Sequence, residues 1–312
     1  QTLEKGDWRY FGLALLVEAI WIVNLGASFN AIYRVVGLHE NLPRLILLAL
    51  AANFVNIVAP SGGIGGMAVF LSDAKSKEYS TGRATVASSL FVLLDYVGFF
   101  FILTLGFVVL IRRDQVSTTE IIASIILILI ALVIAFMLYL GARSEKKLGD
   151  FLTSIAKLIN WIIKPFRSKR KGDILPPKRA YKFAHEIAEG VEEMRRNPIG
   201  LIYPILLAIN GKVLMILLLF FIFLAFSVPV SIGTLIAGFC VAFLFTIVSP
   251  TPSGVGVVEG FLTLALSSFY IPLGTAAVLT MAYRGFTFWL PLLLGMFTIR
   301  EIGDLGENEA EF

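Results

Sequence analysis

Residues 249–260 read SPTPSGVGVVEG, set between the apolar runs FCVAFLFTIV (239–248) and FLTLALSSF (261–269). Either flank alone is ordinary for a membrane helix. Between them stand Pro250, Pro252, Ser253, Gly254, Gly256 and the acid Glu259. Proline removes a backbone donor and glycine relaxes the chain, so a continuous helix is not expected here. Inside hydrocarbon, the freed backbone groups survive only where they are buried in protein or line water. The stretch therefore predicts a broken helix bordering a polar chamber. A helix restarting near Val255 aims its N-terminal amides into that chamber, a place for an anionic head group. Glu259, in its first turns, complements the helix dipole.

The composition sets this motif in a membrane. The chain is 57% hydrophobic and 15% charged, with mean hydropathy +0.85, whereas a soluble domain carries about 25% charge. Residues 121–140 hold no charge and 84–111 hold one; both reach the roughly 20 apolar residues that cross a bilayer core. Continuous apolar runs exclude a transmembrane barrel, whose strands alternate. The lone Cys240 excludes an intrachain disulfide and reads as a small buried hydrophobe. The pI of about 9.1 fits an excess of Lys and Arg on cytoplasmic loops better than nucleic-acid binding. The chain opens on QTLEKGDWR with neither an initiating Met nor a cleavable signal pattern, so upstream sequence is expected to be missing.

Apolar helices are expected at 9–34, 43–58, 63–72, 82–111, 118–141, 198–227, 231–249, 255–269 and 273–300. The insert 142–197 holds 14 of the 26 Lys and Arg residues. Leu148, Phe151, Leu152, Ile155, Leu158, Ile159 and Ile162 recur there at helical spacing, with Lys147, Lys157 and Lys164 largely off that stripe. This is the pattern of an interfacial amphipathic helix. A second such run follows Pro176-Pro177, so 142–197 is expected to form a cytoplasmic helical hairpin capping two membrane halves, 1–141 and 198–312.

The opening motif has a partner. IVAPSGGIG (57–65), followed by Phe70-Leu71, parallels IVSPTPSGVG (247–256), followed by Phe261-Leu262; Gly65 and Gly256 lie 191 positions apart. Pro60, Ser61, Gly62, Gly63 and Gly65 repeat the punctuation of the second stretch. Broken helices at corresponding places in two halves point to an inverted-repeat transporter and its binding site. The expected fold is an all-α polytopic membrane protein of two inverted-topology halves, each with a re-entrant broken-helix hairpin, 43–72 and 231–269. With 142–197 cytoplasmic, a re-entrant 43–72 places residue 1 outside, and a spanning 43–72 places it inside. Loop charges alone leave both topologies open.

A charge at mid-bilayer costs about 2.5–3.5 kcal/mol. Glu18, Asp95, Lys212, Glu259 and Arg284 all stand in apolar helices. Asp95 aligns with Ala84, Ser88 and Gly98, Glu259 with Gly256, Thr263 and Ser267, and Arg284 with Thr280, Thr287 and Gly295. Small and polar residues on one stripe mark helix contact or a wet cavity. Glu259 and Arg284 read either as a structural ion pair or as part of a substrate or proton pathway, and Asp95 divides the same way. Glu18, beside Trp21, reads as structural or interfacial. Asn24, Ala27, Ser28 and Ala31 read as packing. Asn210-Gly211-Lys212 reads as an unwound cavity turn or a kink, and Asn56 joins the candidates beside the first break. Enzyme chemistry is not expected: His39 and His185 are remote from one another, no metal cluster is seen, and GGIGG (62–66) lacks the Gly-Lys-Ser/Thr of a P-loop. No cofactor is expected.

IVAPSGGIGG (57–66), LLDYVG (93–98), PTPSGVGVVEGFL (250–262) and MAYRGFTFWLPLLLG (281–295) together resemble the lysylphosphatidylglycerol synthase transmembrane-domain family, also called flippase-like. The resemblance spans essentially the whole chain. It implies multi-pass proteins of the cell membrane of bacteria and archaea, some fused to lipid-modifying synthases, that move charged or glycosylated lipids between leaflets. It implies a further helix before residue 9 and residue 1 outside. It also makes Glu259 and Arg284 the intramembrane acid and base, and Asp95 the acid of the third helix. Where members often carry basic residues after the first break, this chain has Met67-Ala68-Val69-Phe70. The leading expectation is a lipid flippase whose partners are membrane lipids. The rivals are an ion-coupled carrier of a small solute and a non-catalytic accessory of a lipid-modifying synthase. Oligomerisation stays open.

Overall fold

The computed structural model describes residues 6–58, 65–77, 79–112, 198–249 and 251–309, with scattered positions of 121–154 and 185–196. Pro60, Ser61, Gly62, Gly63 and Pro250 lie outside the described residues, as do most of the expected helix 118–141 and of the insert 142–197. Among the described residues the protein is all helical, without strands. The helices are α1 (Trp8–Val35), α2 (Leu42–Val58), α3 (Met67–Ser76), α4 (Thr81–Arg112), α5 (Ile202–Ala225), α6 (Ile232–Val248), α7 (Val257–Ser268), α8 (Leu273–Arg284) and α9 (Leu290–Glu309). Among the described residues four stretches are long and apolar enough to cross a membrane: Trp8–Val35, Thr81–Val109, Pro198–Ala225 and Leu273–Ile299.

Exposure runs opposite to that of a soluble protein. Helix α1 buries Glu18, Asn24 and Ser28 and exposes Leu15, Leu16, Ile20 and Val23. In lipid that arrangement removes the polar groups from hydrocarbon and leaves apolar side chains where they cost nothing. The Asp7 carboxylate caps α1, accepting from the Arg9 amide at 2.9 Å, and the Asp7 amide donates to the Ala225 carbonyl at 2.8 Å. The start of α1 is thus fixed to the end of α5, and these two helices form the most extensive pairing in the fold.

Around that central pair some contacts join the segment 8–112 to the segment 198–309. Helix α2 packs on α9, and α6 packs on α4. Within each half the pairings correspond as well: α3 lies on α4 as α7 lies on α8, and α2 touches α3 as α6 touches α7.

Three local features depart from the expectations. Helix α5 runs unbroken through Asn210-Gly211-Lys212. The two polar side chains find partners on neighbouring helices, so no backbone has to open: Asn210 donates to Asn24 Oδ1 and Lys212 to Asp95. Helix α3 begins at Met67 rather than 63, after a turn at Gly65-Gly66. The last membrane helix changes to π geometry over Gly285–Trp289, directly after Arg284, a widening found disproportionately at functional sites.

Candidate functional site

One cavity of about 260 Å³ occupies the centre of the helical assembly. Its wall takes Glu18, Trp21 and Ser28 from α1, Asn53 and Asn56 from α2, Asp95 from α4, Lys212 from α5 and Thr246 from α6. Gly66 and Met67 of the first break and Ser249, Thr251 and Ser253 of the second also border it. At ~30 Å³ per water, the space has room for several waters or a compact ligand, and Phe29, Phe70, Phe91 and Phe239 make much of its wall apolar.

The second break is built around Arg284. Its Nε donates to Glu259 Oε1 at 2.7 Å, and its Nη2 donates to the Ser253 carbonyl at 3.0 Å. The guanidinium carbon lies 4.6 Å from the centre of the Phe288 ring, which the π turn sets close to it. The other Glu259 oxygen accepts the Gly256 amide at 2.7 Å, satisfying an orphan donor at the start of α7. The backbone needed for this is left-handed at three of the four positions 253–256: Ser253 at φ 44°, Gly254 at 72° and Gly256 at 81°. Glycine takes such angles without penalty, whereas Ser253 is strained and is held by the Arg284 bond to its carbonyl. Gly254 has a second reason to lack a side chain, since a Cβ there would stand 2.4 Å from Val258 Cγ2.

A second ion pair lies across the cavity. Lys212 Nζ meets Asp95 Oδ1 at 2.5 Å and sits 3.8 Å from the centre of the Phe243 ring. The lysine side chain is 6% exposed and the aspartate 28%, so the acid is the more accessible partner. At the first break Asn56 Oδ1 accepts the Gly66 amide at 2.6 Å. On the wall itself, Asn24 donates to the Leu207 carbonyl at 3.1 Å and accepts from Asn210 at 2.9 Å.

Of the sequence candidates, Asp95, Lys212, Asn56, Ser253 and Arg284 border the cavity directly. Glu259 and Gly256 act one bond behind, through Arg284 and the α7 start. Pro252, Gly254 and Gly65 shape the breaks without lining the space, and Asn210 stands outside the wall. The pairing of Asp95 with Lys212 was not foreseen, because the two residues are 117 positions apart. Glu18, which the sequence reads as structural or interfacial, lies on the cavity wall. The spacing 18, 21, 25, 28, 32 of Glu18, Trp21, Leu25, Ser28 and Ile32, all cavity-lining, is the helical stripe that carries the signal. Among the described residues no cluster of three His, Cys, Asp or Glu is arranged to hold a metal.

Fold and site define a polytopic helical membrane protein whose broken helices enclose a charged cavity. The chain belongs to the family described as lysylphosphatidylglycerol synthase TM region, which it matches over residues 1–295. It is 28% identical over 298 residues to a UPF0104 membrane protein of Methanocaldococcus jannaschii, covering 92% of this chain and 83% of that protein. A UPF0104 membrane protein of Methanothermobacter thermautotrophicus is 24% identical over 306 residues, covering 97% of this chain and 88% of its own length.

Proposed function

We propose that this protein moves a polar-headed lipid between the leaflets of a prokaryotic cell membrane, without covalent chemistry of its own. One observation carries the reading: a cavity that both helix breaks border and that Asp95, Lys212 and the Glu259-paired Arg284 line, within an outwardly apolar bundle. Two desolvated pairs are an expensive way to hold helices together, since well-packed apolar side chains do that at least as well. Their value lies in a polar path through a medium that otherwise rejects charge.

On this reading the hairpins α2–α3 and α6–α7 are re-entrant. Their arms have 17, 10, 17 and 12 residues; at 1.5 Å per residue even the longest reaches only about 25 Å of a core about 30 Å thick. The exchange of partners, α2 on α9 and α6 on α4, supports two halves of inverted topology whose hairpins enter from opposite faces. The lipid head group travels through the cavity while its acyl chains stay in the bilayer. The description of the matched family, a membrane region of a lipid synthase, fits a role beside such an enzyme.

The test is leaflet-resolved transport in liposomes, with an acyl-labelled lipid whose outer-leaflet pool is chemically quenched. Wild type moves lipid, and Glu259→Gln or Arg284→Lys slows it at least about tenfold, as expected for a lost charge-assisted contact. Equal rates in wild type and both variants would remove these residues from the path. Uptake of a water-soluble solute without lipid movement would replace the reading with a small-solute carrier.

A further inference from the structure

Glu18 is 1% exposed, lines the cavity, and neither of its carboxyl oxygens has a hydrogen-bond partner among the described residues. Every other acid in or behind the wall is engaged: Asp95 by Lys212, and Glu259 by Arg284 and the Gly256 amide. Buried polar groups are almost always paired, and one left unpaired needs an explanation. The Ser88 hydroxyl, on the same wall and also buried, is likewise unpartnered. A carboxyl contributes nothing to packing that a leucine would not do better, so Glu18 does not serve to hold α1 in place. The buried unmatched atoms bordering the cavity, among the described residues, are thus the two Glu18 carboxyl oxygens and the Ser88 hydroxyl, a set with room to accept hydrogen bonds.

We propose that Glu18, with Ser88 on the same cavity wall, is the head-group recognition site of the cavity and takes a group presenting N–H or O–H donors. This rests on the transport reading for the identity of the ligand as a lipid. The ion pairs, having satisfied each other, form the frame, and Glu18 makes the selection. Two head groups offer such donors, an ammonium and a sugar ring, and a change at Glu18 tells them apart. Glutamine keeps an acceptor oxygen but loses the charge, so it spares recognition of hydroxyls and removes that of an ammonium.

The experiment measures binding of acyl-labelled phosphatidylethanolamine and acyl-labelled diglycosyl diacylglycerol to the purified full chain in detergent, by fluorescence anisotropy, alongside thermal unfolding. Wild type binds at least one of them, and Glu18→Ala weakens that binding about tenfold or more. Glu18→Gln weakens it equally if the ligand is the ammonium lipid and by less than about threefold if it is the glycosyl lipid. Unfolding temperature stays level or rises in Glu18→Ala, which removes an unpaired buried group, and stays level in Glu18→Gln, which exchanges one such group for another. The proposal is overturned if wild type binds neither lipid, if Glu18→Ala binds as wild type does, or if binding falls only together with unfolding temperature. Binding that depends on Glu18 in a protein that moves no lipid in liposomes would uphold the recognition site and defeat the transport reading.

Discussion

At the base of hairpin α2–α3, Arg44 donates to Asp73 at 2.8 Å and Lys77 to Glu40 at 2.5 Å, with Arg44 and Glu40 3.9 Å apart. At the matching end of α6–α7 stand only hydroxyls: Ser231 Oγ accepts the Thr234 amide at 3.1 Å and lies 3.0 Å from Thr234 Oγ1. At the tips the contrast reverses. Among the described residues the first shows the neutral bond of Asn56 with Gly66, and the second joins Glu259, Arg284, Ser253 and Gly256 together. The same Pro/Gly punctuation thus carries its charges at the base in one hairpin and at the tip in the other. Charges at helix ends stay near water and act as anchors. Charges at a tip border the central cavity, where each needs a partner to be tolerated. The first hairpin is therefore fastened at its root, and the second at the cavity.

Substitutions should follow that difference. The largest effect is expected at the second tip. Arg284→Ala leaves the Glu259 carboxylate unmatched, and breaking such a buried pair costs about 3–5 kcal/mol. Replacing both partners by methionine restores most of it, which thermal unfolding of the single and double variants in detergent would reveal. If the double variant is no more stable than the single, the pair is not a self-contained lock. Next comes the loop itself. Gly254→Ala combines a left-handed residue with a clash against Val258, for about 2–4 kcal/mol, while Gly256→Ala, with open space around it, incurs only the backbone cost of about 1–2 kcal/mol. Equal losses at the two sites would mean that the clash is relieved by a shift of α7. The smallest effects belong to the bases: about 1–2 kcal/mol for Arg44→Ala in a half-shielded network, and about 1 kcal/mol for Ser231→Ala through its lost cap. A larger loss at Ser231 than at Arg44 would reverse the assignment of the anchored hairpin.

Much of this was legible in the sequence, for physical reasons that also explain what was not. Proline and glycine act locally, so SPTPSGVGVVEG announces its own break. The apolar runs announce α1, α4, α5 and α8 because a bilayer imposes length as well as character. Long-range partners leave no local trace. Lys212 read as part of a helix interruption because Asn210 and Gly211 precede it, yet Asp95 on α4 removes the need for one. Glu18 reads as structural or interfacial because it lies near a helix start, and only the packing of α1 against its neighbours turns its stripe inward. The π turn after Arg284 has no signature in GFTFW that separates it from an ordinary apolar helix.

The central claim is that both helix breaks open on one chamber that receives a head group. In a Cys240→Ala background, Met67→Cys at the first break and Thr251→Cys at the second would each be treated with a small cationic methanethiosulfonate reagent, with and without the bound lipid. The account predicts that both thiols react and that the same lipid protects both. Reaction at only one site, or protection of one without the other, would contradict it.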